Sequence, residues 1–215
     1  PQSFCSWGRE QSTASHGHAQ RIRTTFSNLH LMQQNVAAYS FAVHVAWATI
    51  YPLQVLHAGL QLLVRRHAVL RTFYKADLNR ALQAILPDDS FSAPLDECTD
   101  STHMDAFARA LRKPFALMSA PPVRALSACS SAEHKTRLLF VVDHIAADYA
   151  ATLIIREELH AACDAVAKTT PSSLPPCLLQ YADFAVWQQR TIVSEAATLE
   201  WWRAKLDGAP QVLEL

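Results

Sequence analysis

YSFAVHVAWATI, residues 39–50, alternates in side-chain size with a period of two. Phe41, Val43, Val45 and Trp47 fall on one side and Ser40, Ala42, His44 and Ala46 on the other, the pattern of a strand that packs one bulky face on a core. After Pro52 the period becomes helical. Leu53, Leu56, Leu60 and Leu63 recur at i, i+3, i+7 and i+10, an apolar stripe that should lie on a sheet, and the helix should end near His67.

Working outward, strand-like runs follow at 69–75 and 80–86. A short helix is expected to begin at Ser101 or Thr102, to bury Met104, Phe107, Ala108 and Leu111, and to stop before Pro114. Two more strands are predicted at 123–129 and 137–143. The second is apolar through Leu138, Leu139, Phe140, Val141 and Val142, as a strand covered on both faces requires. A helix over 149–166 carries Ile155, Leu159, Ala162, Cys163 and Val166 on one stripe. The Pro- and Ser-rich stretch 169–176 reads as a connecting loop, followed by helices over 178–193 and 195–207. The last of these should bury Leu199, Trp202 and Leu206 and end on Gly208 as a left-handed cap. Strands mixed with helices, without an internal repeat, define an α/β lobe in which helices flank a mixed sheet.

Composition narrows the function. Half of the 215 residues are apolar and 18% are charged, enough for one sizeable core or for one lobe of a larger unit. Lys plus Arg balances Asp plus Glu at 19 each, with no basic cluster interleaved with aromatics, which argues against nucleic acid or an anionic membrane as partner. The five cysteines are odd in number and widely spaced, fitting neither a disulfide framework nor a zinc site, and point to a reducing cytoplasm. No signal peptide or membrane span is predicted. Residues 1–20, rich in Ser, His and Gln, read as a loosely held boundary segment, with the lobe itself over 21–215. The chain opens at Pro1 and stops within the apolar run Val212, Leu213, Leu215, so a piece of a longer polypeptide is expected.

DHIAADY, residues 143–149, lies where a buried strand gives way to a helix, a position that holds side chains rigidly at the rim of a cleft. Histidine titrates near neutrality, so His144 is the candidate to take a proton from an attacking amine, hydroxyl or thiol, or to orient it. Asp148 falls in the first helical turn, where the helix dipole favours a carboxylate, and Arg71 is its candidate partner across a buried ion pair. Taken alone, a His and an Asp four apart are a weak signal.

Four ordered blocks strengthen it. His144, Ile145 and Asp148 resemble the His-His-x-x-x-Asp-Gly signature of condensation domains, and the helix that follows contains Arg156, Glu157, Glu158 and Leu159. Arg66, His67, Leu70, Arg71 and Thr72 resemble the family's Arg-His-Glu-x-Leu-Arg-Thr-x-Phe block. Tyr181, Asp183, Ala185 and Trp187 resemble its Tyr-x-Asp-Tyr-Ala-x-Trp block, and Trp202, Leu206, Gly208 and Ala209 its Tyr-Trp to Leu-x-Gly-Ala ending. The resemblance covers residues 39–215. It implies the amino-terminal lobe of a condensation domain from a nonribosomal peptide synthetase or hybrid polyketide synthase, with a chloramphenicol acetyltransferase-like fold and the second lobe outside this chain.

That family joins acyl groups delivered on the phosphopantetheine arms of carrier proteins, with no cofactor bound directly. The partners implied are acyl or peptidyl carrier proteins, the second lobe and neighbouring megasynthase domains. His144 would be the catalytic histidine, with Asp148 and Arg71 supporting the motif. The sequence departs from the family at Asp143, in place of the first histidine, and at Tyr149, in place of the glycine. Both are candidates to line the substrate channel, and a tyrosine ring there would obstruct a substrate that the absent Cβ of glycine admits. The opening block survives as Ala19, Gln20 and Arg23. Three functions follow: an acyl transferase forming amide bonds, a condensation-like platform for carrier proteins or tailoring enzymes, or a free-standing acyltransferase using coenzyme A thioesters, against which the cut ends argue. A heterocyclisation domain would share the Asp143 to Asp148 spacing, but its later serine is Ala151 here. Trp187, Trp201 and Trp202 are expected in the core, His44 and His67 as structural histidines, and no metal site is expected. Arg124 reads either as the partner of a carboxylate or as a solvated strand residue.

Overall fold

The computed structural model describes residues 20–23, 39–77, 80–171, 174–192 and 196–210. Its centre is the apolar run that ends at the candidate histidine, strand β7 (Lys135–Asp143), in which every residue from Leu138 onward is buried. Around it lies a four-stranded sheet in the order β2 (Ser40–Trp47), β7, β6 (Val123–Ser130), β5 (Leu95–Thr99). β2 and β6 run antiparallel to β7, and β5 runs parallel to β6. A parallel neighbour needs a crossover. It contains helix α2 (His103–Arg112), which packs on the sheet. Three further strands, β1 (Gln20–Arg23), β3 (Thr72–Asp77) and β4 (Arg80–Ile85), form a separate antiparallel sheet in the order β1, β4, β3.

Alternation along β7 sends its side chains into two cores. Leu138, Phe140 and Val142 join Val43, Val45 and Trp47 of β2 beneath helices α1 (Leu53–Arg66) and α3 (Tyr149–Ala167). Leu139 and Val141 face the other way, toward Phe107 and Ala110 of α2, Phe115, Leu117 and Tyr74 of β3. Burying one such side chain contributes about 1.5–3 kcal/mol, so β7 is heavily stabilised. It therefore gives a rigid base to whatever stands at its end. α1 contributes Leu56, Leu60 and Leu63, as its period predicts, and approaches α3 at Gly59. A Cβ there would come within 2.4 Å of Cys163 Sγ, so glycine permits the close crossing. Burial, with a smaller effect from Asp164, pushes the Cys163 thiol up to about 12.

Several expectations are corrected. Residues 68–71 form a 3-10 turn before β3 begins, because Leu70 N–H is taken by His67 O and the buried Thr72 hydroxyl donates to Ala68 O at 2.7 Å. β5 is an additional strand: LDECT offers little apolar alternation and holds the sheet edge by backbone pairing. α2 buries Ala106, Phe107 and Ala110, while Met104 is exposed and Ala108 and Leu111 are intermediate, since the helix sits down on its alanines. Helix α4 (Tyr181–Ile192) starts three residues later than its apolar period suggests. Gln180 caps it, accepting from Asp183 N–H on its carbonyl while its own N–H donates to Asp183 Oδ2 at 2.8 Å. Helix α5 (Ala196–Leu206) has no buried residue among those described, so Leu199, Trp202 and Leu206 form no covered stripe. Trp187, Trp201 and Trp202 are each about half exposed rather than core. Gly208 does adopt φ +75°, with Ala209 N–H returning to Leu206 O. Of the opening block, Gln20 and Arg23 lie on β1 and Ala19 is outside the described residues, as are residues 1–18 and the chain end at 211–215.

Candidate active site

The turn after β7 is tied on every side. Asp143 N–H donates to Pro122 O at 3.0 Å, His144 N–H to Tyr39 O at 2.6 Å and Ala146 N–H to Asp143 O at 3.0 Å. The turn carries the His144 ring to an exposed position. Its Nδ1 lies 2.9 Å from Ala147 O. A carbonyl can only accept, so Nδ1 bears a proton, and in the neutral form of the ring the lone pair is on Nε2. Phe41 of β2 meets the ring edge-on, with centroids 4.7 Å apart. Nε2 has no partner among the described residues and is available to a ligand proton.

Asp143 is buried within this lobe at the end of β7. It is 6% exposed and accepts from Ile145 N–H at 3.0 Å. Burial pushes its carboxyl above the usual aspartate range, against the opposing pull of the Ile145 amide, His144 and Arg124. Arg124 is partly exposed and forms no ion pair among the described residues: its guanidinium stacks 3.7 Å over the Phe115 ring and donates to Lys113 O. Burial lowers the guanidinium pKa, and Asp143 acts in the opposite sense. Tyr74 Oη, fully buried on β3, reaches Ile145 O at 3.4 Å.

The pairing of Asp148 with Arg71 is not formed. Asp148 is exposed and caps α3, with Ala151 N–H donating to Oδ1 at 2.7 Å. Its carboxylate is satisfied by the helix end it stands on. Arg71, at the end of the 3-10 turn, faces the neighbouring β4 terminus and donates from Nη1 to Leu86 O at 2.7 Å. Burial lowers its pKa, opposed by Asp88. Tyr149, the first residue of α3, is 72% exposed.

A second constellation joins three of the sequence blocks. Glu158 of α3, 7% exposed, accepts from Arg66 Nε at 2.9 Å and lies 2.5 Å from His67 Nε2. Arg66 also donates to Pro175 O. Gln180 accepts from Ala68 N–H at 2.9 Å and donates to Arg66 O at 3.0 Å. The cluster ties the end of α1, the middle of α3 and the start of α4 together and borders a groove of about 480 Å³ between Leu62, Leu174 and Cys177. His67 is thus a structural histidine, whereas His44 is exposed on β2 with Phe107 edge-on to its ring. Burial lowers the His44 pKa, helped by Arg137 and His103. His67 and Glu158 stand in separate sequence blocks, and only the fold brings them within reach of each other. Among the described residues no acidic, His or Cys cluster could hold a metal, and no helix is long and apolar enough to cross a membrane.

An α/β lobe with helices flanking a mixed sheet agrees with what comparison with known proteins finds. The condensation-domain family model matches residues 11–215, and the chain belongs to the condensation-domain family, as found in nonribosomal peptide synthetase assembly lines. It is 34% identical over 169 residues to phosphinothricin tripeptide synthetase PhsC of Streptomyces viridochromogenes, covering 73% of this chain and 15% of that protein. It is 30% identical over 197 residues to a dimodular nonribosomal peptide synthase of Bacillus subtilis, covering 87% of this chain and 8% of that one. Among solved structures, the X-domain from teicoplanin biosynthesis matches with a TM-score of 0.79 at 23% identity, over 94% of this chain and 46% of that one. The starter condensation domain of rhizomide synthetase RzmA matches at 0.76 and 12% identity, over 90% of this chain and 49% of that one. The chain spans about half the length of these solved domains and a small part of the synthetases it matches.

Proposed function

We propose that this chain is the amino-terminal lobe of a condensation domain that forms an amide bond between two carrier-bound substrates, with His144 as its reacting residue. The observation that carries the reading is the committed Nδ1 of an exposed His144 ring, which leaves Nε2 as a base at the end of a deeply buried strand. The acceptor amine would attack the thioester carbonyl of the donor; the C–N bond forms, the C–S bond breaks, and the amine proton passes through Nε2 to the departing thiolate. Both substrates would arrive on phosphopantetheine arms of acyl or peptidyl carrier proteins, and the second lobe would form the other wall of the cleft. Residues 21–215 would constitute the lobe and 1–20 its boundary segment, whose last residue, Gln20, opens β1. The cytoplasm, where such assembly lines draw on their carrier proteins, would be its compartment.

Replacing His144 by alanine in the complete synthetase should lower the condensation rate by roughly a hundred-fold or more. A wild-type rate from folded His144→Ala protein would remove His144 from the chemistry.

A docking platform is the second reading, favoured by Tyr149 at the motif's glycine position. A structural match to the complex of the X-domain and OxyB from teicoplanin biosynthesis supports it as a role this fold can serve. Tyr149→Gly separates the two: a gain in condensation favours an obstructed catalyst. Tailoring-enzyme or carrier binding unchanged by His144→Ala, with no turnover in any variant, favours the platform.

A further inference from the structure

We propose that Tyr74 and Asp143 are positioning residues that grip Ile145 from both sides and thereby hold His144 in the tautomer that leaves Nε2 free. The proposal rests on the reading of His144 as the reacting group. Its basis is a convergence of two buried polar side chains on one residue. Asp143 accepts from Ile145 N–H at 3.0 Å, and Tyr74 donates to Ile145 O at 3.4 Å. The first bond fixes the peptide plane before Ile145 and the second the plane after it, so both backbone torsions of that residue are set.

Burying a hydroxyl in an apolar core costs free energy unless it finds a partner. Tyr74 is fully buried among Phe107, Phe115, Leu139 and Val141, where a phenylalanine would occupy nearly the same volume. Ile145 O is the hydrogen-bond partner of its hydroxyl among the described residues. Tyr74 is itself anchored, with its N–H donating to Leu117 O at 2.8 Å. The three-stranded sheet thus reaches across the core to hold the turn that follows β7.

The link to chemistry runs through Ala147. Its carbonyl meets His144 Nδ1 only while the turn between them stays closed. If Ile145 is released, Nδ1 loses its acceptor, and the neutral ring is free to carry its proton on Nε2 instead. In that form Nε2 has no lone pair with which to take a proton from an amine. Tyr74 and Asp143 would therefore act on the fraction of His144 that is competent, without touching substrate.

The test reads the 15N shifts of the His144 ring in the intact condensation domain, with condensation kinetics measured in the complete synthetase. Wild-type protein should show a protonated Nδ1 and a bare Nε2. Tyr74→Phe, which removes one oxygen, and Asp143→Ala should both move population toward protonated Nε2 and lower kcat by roughly tenfold or more with little change in KM. Asp143→Asn keeps an acceptor for Ile145 N–H and should stay near wild type. Lower melting temperatures with unchanged ring shifts in Tyr74→Phe and Asp143→Ala would mean a merely structural role and overturn the proposal. Shifted tautomers in a protein that makes no product even as wild type would uphold the positioning while sinking the catalytic reading of His144.

Discussion

Replacing Glu158 by alanine should loosen the lobe far from its candidate chemistry. The carboxylate is 7% exposed and is held by Arg66 and His67, so its removal strands a guanidinium and an imidazole that face it. Breaking a buried ion pair costs about 3–5 kcal/mol. Here the partner side chains retain 18% and 21% of their exposure, so water recovers part of that loss, and about 2–3 kcal/mol is expected. For an intact domain about twice the length of this chain each kcal/mol lowers the melting temperature by about 1–2 °C, which gives a fall of roughly 2–6 °C. Glu158→Gln keeps the volume and one acceptor oxygen, and should lose less. Calorimetry on the intact domain reads the difference, and hydrogen exchange should show faster opening of the first turn of α4, which Gln180 ties to the same junction. A melting temperature unchanged by Glu158→Ala would refute the claim that this cluster holds the three elements together.

Two other perturbations follow from the site. Arg71→Ala should cost about 1 kcal/mol, the loss of one hydrogen bond to Leu86 O, and Asp148→Ala about 1 kcal/mol for a lost helix cap. The double variant should be additive by thermal melting, because no pair joins the two residues. Asp143→Asn should raise stability at neutral pH. Burial raises the folded-state pKa of Asp143, so its favourable contribution is full below the unfolded value and is lost as pH rises through the folded one. The melting-temperature advantage of Asp143→Asn should therefore grow as pH climbs through and just above the carboxylate range, then level off; an advantage that shrinks over that interval would contradict the burial argument.

Strong periodicity makes much of the lobe legible. β2, β7, α1 and α3 follow from apolar spacing because each buries a continuous face, and the dense packing of β7 appears directly in its uninterrupted apolar run. β5 escapes because an edge strand is specified by backbone pairing, which leaves little mark on side-chain pattern. α5 deceives for the opposite reason: it carries an apolar repeat, yet nothing among the described residues covers it. At the site, His144 stands out by its position and its family block. The partners of Asp148 and Arg71 are different from those expected, since a sequence shows which charges exist but not which backbone groups compete for them. Tyr74 is invisible as a participant because only the fold brings β3 beneath the turn after β7.

The crossing of α1 over α3 offers a use of its own. Cys163 sits against Gly59 with its thiol fully buried and its pKa pushed up to about 12, so an alkylating reagent finds almost no thiolate and no path to it while the helices touch. Its labelling rate would count the moments when the two helices part, giving a native chemical reporter of breathing at the seam beneath the sheet.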